Sequence, residues 1–189
     1  MILNRLRLET SPHHERLDHH PLMVQLMSPQ VSRQHYQHII GKFFGFYQVL
    51  EPLLARRTMW PDLGIDFSER LKTPWILQDL TYLDVPIARL AHAPTPDWLQ
   101  DDASALGAFY VLEGSTLGGQ VIARHVTDTL HLNPEQGLAF FSSYGAQVGQ
   151  RWKETRKALM QFSENSGADD VMIQAAKNSF LDLTTWLDT

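Results

Sequence analysis

Cysteine is absent from this 189-residue chain, which excludes disulfides, thiolate metal sites, iron–sulfur clusters and cysteine nucleophiles. Long hydrophobic runs are absent too, since every apolar stretch falls well short of the roughly 18 residues that a spanning helix needs. The first ten residues carry neither an apolar core nor a small-residue cleavage site, so no export signal is expected. Positive charge is scarce: 16 Lys and Arg stand against 21 Asp and Glu, a formal net charge of -5. Nucleic acid needs a basic face and is therefore not an expected partner. Strict apolar–polar alternation nowhere lasts long enough to suggest a sheet. These absences together point to a cytoplasmic protein with no membrane partner.

The remaining composition is that of a folded protein. At 43% hydrophobic and 20% charged residues, disorder is not expected. The length favours a single domain covering 1–189. Apolar positions at spacings of three and four predict helices throughout. A first helix runs from about Leu3 to His20 and closes at Pro21, either restarting with Ser11 as N-cap and Pro12 at N1 or passing through them with a local distortion. A short turn follows to Met27. Ser32 is the expected N-cap of a long helix over Gln34–Ala55 with a wide aromatic face. Further helices are predicted over Ser68–Leu80, from Asp84 onward, over Trp98–Leu130, from Pro134 to about Gly145, over Gln147–Phe162, and over Asp169–Leu187. The expected class is all-α.

Inside the Trp98–Leu130 segment lie Gly114, Gly118 and Gly119. A glycine costs roughly 1 kcal/mol against alanine in a helix interior, so three of them need an offsetting reason. Gly114 and Gly118 are four apart and share a face. Without Cβ atoms there, the backbone itself can lie against a flat partner, and the helix can bend. Close packing of another helix on that face, or a loop in place of a helix, is the plainer explanation. A phosphate cradle is disfavoured, because no strand precedes the glycines and no GKS or GKT follows.

Nine histidines are present, and four of them, His13, His14, His19 and His20, crowd the N-terminus. His14 and Asp18 are one helical turn apart, so an imidazole and a carboxylate can meet on one face. A histidine metal ligand needs such a partner, which accepts its second N–H and fixes the tautomer. His13 has only Leu17 at that spacing. Arg7 lies two turns before His14 on the same face, placed for an anionic edge. A solvated surface histidine is the plainer alternative. Zinc is poorly supported without HExxH, and a di-iron bundle without Glu-x-x-His pairs.

With these residues in view, Leu6–Thr10 followed by His14–Asp18 resembles the proximal helix of heme oxygenases. Glu113-Gly-Ser-Thr-Leu-Gly-Gly-Gln120 resembles their distal helix, in wording closest to bacterial members associated with bacteriophytochromes. The two motifs stand about 100 residues apart in the family's order, and the resemblance covers nearly the whole chain. It implies an all-α, multi-helix bundle with heme between an N-terminal proximal helix and a glycine-kinked distal helix. The implied activity is cleavage of heme, both cofactor and substrate, to biliverdin, carbon monoxide and ferrous iron. Dioxygen is consumed, with electrons from a donor such as ferredoxin or a reductase and a bacteriophytochrome as a receiver of the bilin.

The resemblance also implies roles. His14 is the axial iron ligand and Asp18 its hydrogen-bond partner. Asp18 stands where the family more often has Glu, so a longer or water-mediated bond is expected. Arg7 and Lys153, the latter beside Trp152, hold the propionates. Gly114, Gly118 and Gly119 approach the heme face, and Phe180 is an aromatic pocket residue. Ser115 replaces the Asp found in mammalian members, so proton delivery is expected through waters held by Ser115, Thr116 or backbone groups. Gly114, Ser115 and Gly118 form the implied catalytic set. The rival of the same fold is a heme carrier or sensor without turnover. A thiaminase-like activity needs the cysteine that is missing.

Overall fold

The computed structural model describes residues 1–189, and it is helical throughout, with no strands. Eight α-helices follow in order: α1 (Ile2–Asp18), α2 (Pro21–Leu26), α3 (Arg33–Ala55), α4 (Thr73–Tyr82), α5 (Asp102–Leu130), α6 (Ala139–Ser142), α7 (Val148–Ser166) and α8 (Asp169–Leu187). No helix is long and apolar enough to cross a membrane.

The central element is α5, packed chiefly on α8 and flanked by α6 and α7. A capping box starts it: Asp101 accepts from the Ser104 N–H at 2.8 Å while the Ser104 hydroxyl accepts from the Asp101 N–H at 3.0 Å. Gly107 explains the closeness of α8, because a Cβ there would lie 2.1 Å from the Met172 carbonyl oxygen. Sequence reasoning singled out later glycines and passed over this one. α1 lays Ile2, Leu6 and Thr10 against α8 and the core. Surface pairs Arg5–Asp170 at 2.7 Å and Lys177–Glu9 at 2.8 Å run between the two helices.

Several boundaries differ from expectation for identifiable reasons. α1 passes straight through Pro12, one of the two courses open to it from the sequence. An interior proline costs about 3 kcal/mol in isolation, and the buried face of α1 offsets it. The stretch expected as one helix over Ser68–Leu80 is a 3-10 turn, Phe67–Arg70, followed by α4. Pro74 sits in the first turn of α4, where its missing N–H is harmless. The region after Asp84 forms only the 3-10 turn Ile87–Arg89, and Pro134 begins a turn rather than a helix. Trp98–Gln100 precede α5 outside the helix.

Candidate functional site

Gly114 and Gly118 belong to a longer stripe on α5. Tyr110, Gly114, Leu117, Gly118 and Val121 recur at helical spacing and share one face. In most helices such a face would be covered, yet Leu117 is 41% and Val121 56% exposed. A Cβ on Gly118 would meet nothing within 4 Å, and one on Gly114 would touch only the Trp152 ring at 3.7 Å. The plainer explanation, another helix packed on these glycines, is therefore not what the structure has. Gly119 differs: it is buried, and its Cβ would lie 3.0 Å from the Phe141 carbonyl oxygen. It serves the packing of α6 and does not join the open stripe.

The chain from α1 through α2 touches α5 at both ends of that stripe. At one end, Tyr110 lies beside Thr10 and Arg7; burial pushes its phenol up, opposed by the Thr10 hydroxyl and the Arg7 charge. At the other, the His125 ring donates to the Ser28 carbonyl at 3.0 Å. These two contacts are about 22 Å apart along α5 at 1.5 Å per residue. Between them the connecting chain carries His14, then the exposed Val24 and Met27 of the α2 segment. Two buried histidines shape this segment. His20 caps α2 by accepting from the Leu22 N–H at 3.2 Å, and the His35 ring donates to the Leu22 carbonyl at 3.0 Å.

His14 Nδ1 and Asp18 Oδ2 are 2.9 Å apart. The shorter Asp side chain thus reaches directly, and the expected lengthening of this bond does not occur. With Nδ1 engaged, Nε2 is the ring nitrogen left for a ligand. The edge of the buried Phe180 ring meets His14, centroids 5.7 Å apart and planes at 65°, which restrains the imidazole plane. His14 is itself well exposed, at 60% of its side chain.

Behind the stripe, Ser115 has two protein partners. Its Oγ lies 3.2 Å from the Tyr47 hydroxyl and donates to the Leu112 carbonyl at 2.8 Å. Ser115 thus accepts from Tyr47. Burial raises the Tyr47 phenol well above its ordinary value, so it stays protonated as a donor. Sequence reasoning missed Tyr47, because its place in the aromatic face of α3 reads as core. It also passed over Tyr110, which continues the glycine stripe one turn earlier, and took Trp152 only as a neighbour of Lys153. Trp152 stacks obliquely on Tyr110, centroids 5.7 Å apart, and ends at Gly114. Arg7 and Lys153 are exposed and form no ion pair.

These residues suit a flat, largely apolar group with a metal centre and an anionic edge. Open glycines and exposed aliphatics suit its face, a carboxylate-held imidazole suits its metal, and free cations suit its edge. Comparison with known proteins gives the same direction. Residues 1–189 match the family model described as heme oxygenase. A heme oxygenase of Xanthomonas campestris pv. campestris (strain 8004) is 27% identical over 161 residues, 84% of this chain and 87% of that protein. The heme oxygenase of Neisseria meningitidis, solved with NO and CO bound, matches with a TM-score of 0.83 at 20% identity, over 99% of this chain and 90% of that one. That of Leptospira interrogans gives 0.82 at 18% identity, over 98% and 97%. At these identities the solved structures establish the fold.

Proposed function

The chain belongs to the heme oxygenase family, and on that premise we propose which of its residues carry the reaction. The protein degrades heme to biliverdin, carbon monoxide and iron. Heme is substrate and cofactor together, and its iron supplies the oxygen chemistry once bound, while the protein binds, orients and supplies protons.

In this assignment, residues 1–189 act as one heme-holding domain. His14 ligates iron through Nε2, with Asp18 accepting from Nδ1–H and so fixing the tautomer and raising ligand basicity. Phe180 keeps the ring plane. Gly114 and Gly118 would let the α5 backbone itself approach the porphyrin, where a side chain would take up the space it needs. Ser115 Oγ, accepting from Tyr47, holds a proton donor at the start of the glycine segment. Both hydroxyls spend their own protons on backbone carbonyls, Ser115 on Leu112 at 2.8 Å and Thr116 on Glu113 at 2.7 Å, so without a carboxylate at position 115 proton delivery passes through water held at this polar pair. Arg7, Tyr110 and Lys153 hold the propionates, and Gly119 acts only by seating α6. Dioxygen and electrons come from outside: a ferredoxin or a reductase is the donor in this reading, and a bacteriophytochrome is a receiver of the bilin. A cytoplasmic location suits such partners.

The observation that carries the assignment is the uncovered glycine stripe of α5, framed at Tyr110 and His125 by the chain that bears His14. A non-catalytic carrier or sensor is not favoured, since the family match spans all 189 residues. Hemin titration followed by absorbance tests the ligand. Wild type and His13→Ala are expected to form a one-to-one, histidine-ligated complex, and His14→Ala to lose that signature. Loss in His13→Ala with retention in His14→Ala refutes the assignment.

A further inference from the structure

The residue before the first open glycine is Glu113, and it is 1% exposed. Its Oε2 accepts from Arg70 Nη1 at 2.8 Å, and the Thr155 hydroxyl, 3.3 Å away, divides its single proton between this carboxylate and the Arg151 carbonyl at 3.0 Å. Its Oε1 accepts from the Tyr144 hydroxyl at 2.8 Å and from Lys72 Nζ. These donors come from three parts of the chain: the segment between α3 and α4, the loop after α6, and α7. Arg70 and Lys72 are each 2% exposed. Charges this deep are poor stabilisers, because apolar residues of similar volume usually do as well or better. What ionic hydrogen bonds add is direction and fixed geometry.

The cluster also grips α7 on both sides of Trp152 and Lys153. Arg70 Nη1 donates to the Arg151 carbonyl at 3.3 Å and Nη2 to Glu154 at 2.5 Å, while Thr155 reaches Glu113 itself. On α5, the Ser115 and Thr116 hydroxyls donate back to the carbonyls of Leu112 and Glu113 at 2.8 and 2.7 Å. Back-bonding of this kind bends helices. Two back-bonded hydroxyls, three glycines and the anchor at Glu113 thus fall within seven residues of α5.

We propose that Glu113 is a positioning residue for heme cleavage. Through Arg70, Lys72, Tyr144 and Thr155 it locks the start of the glycine segment to the part of α7 that bears Trp152 and Lys153. In this way it sets which edge of the porphyrin lies under the distal helix. The inference rests on the heme assignment above. Glu113 touches no substrate in it and acts by holding the backbone that does.

The test uses the full chain with one neutral donor removed at a time, as Tyr144→Phe or Thr155→Val, beside the charge-keeping but shorter Glu113→Asp. Two quantities are read: amide hydrogen exchange at residues 114–119 in the heme-free protein, and the biliverdin isomer ratio after turnover. Loss of one hydrogen bond to a charged group is expected to speed exchange at 114–119 by roughly tenfold relative to α8 amides. It is also expected to shift the isomer ratio, and Thr155→Ser, which keeps the hydroxyl, to restore both. Lower melting temperatures with unchanged local exchange and unchanged isomers reduce the cluster to a stabilising role and overturn the proposal. Failure of wild type to convert heme strikes the heme assignment instead, and the exchange result on heme-free protein still decides whether Glu113 locks the segment.

Discussion

Asp79 on α4 is fully buried, and its two oxygens accept from the Ala139 and Phe140 N–H groups at 2.7 and 2.8 Å, at the start of α6. Burial nevertheless dominates and pushes its carboxyl from 3.8 up to about 6. A folded-state value above the unfolded one means that the native state holds this proton more tightly. The stability it contributes is therefore complete below about pH 4 and is lost as pH climbs to about 6. A shift of about two units corresponds to on the order of 3 kcal/mol. Asp79→Asn, which stays neutral, is expected to gain on wild type by up to that amount between pH 4 and pH 6 in denaturant unfolding. A difference that stays flat, or moves toward wild type, contradicts the assignment. At this scale spacing was a good guide for local pairs, and His14 with Asp18 is the clearest case because both lie on one helix. It was blind to pairs made across the fold. Tyr47 and Ser115 are 68 positions apart, and only the packing of α3 on α5 brings them together.

The glycines of α5 separate at the scale of the element. Gly118 faces open space and Gly119 faces the Phe141 backbone, so substitutions at neighbouring positions should have opposite effects. Gly118→Leu is expected to raise the stability of the heme-free protein by about 1 kcal/mol, the ordinary gain over glycine in a helix. The same change fills the stripe and should weaken hemin binding at least about tenfold, by overpacking of about 1–3 kcal/mol. Gly119→Ala should destabilise by up to about 2 kcal/mol, the overpacking of its Cβ on the rigid Phe141 backbone, about 1–3 kcal/mol, outweighing the gain of about 1 kcal/mol over glycine. Urea unfolding and hemin titration of the two variants measure both quantities, and equal signs in the unfolding data contradict the division of the faces. Periodicity located α3, α5, α7 and α8 well because their buried faces are long. It failed around Ser68–Leu80 and after Pro134, where short turns are held by long-range contacts. The bonds of Arg70 and Lys72 to Glu113 and the contact of Asp79 with α6 leave little periodic trace.

For the whole molecule, the site depends on what does not touch. α1 meets α5 at Tyr110 and the chain after α2 meets it at His125, leaving the stripe between them uncovered, while α8 closes tightly on the same face two turns before Gly114, at Gly107. The two motifs were legible as a pair of separated signatures, and the all-α class followed from helical spacing. Their framing by two bracketing contacts was not legible, nor was the charged cluster at Glu113, since a buried charge looks like a surface charge until its neighbours are known. Such a cluster makes the molecule sensitive, because removing one partner of a buried pair costs about 3–5 kcal/mol.

The central claim is that this open face serves turnover of heme and not its storage. The most direct measurement is an absorbance time course on purified protein with one equivalent of hemin, started by adding an electron donor in air. The account predicts a histidine-ligated Soret band that decays into the broad red absorption of a bilin. A Soret band that forms and persists under the same electron supply contradicts it.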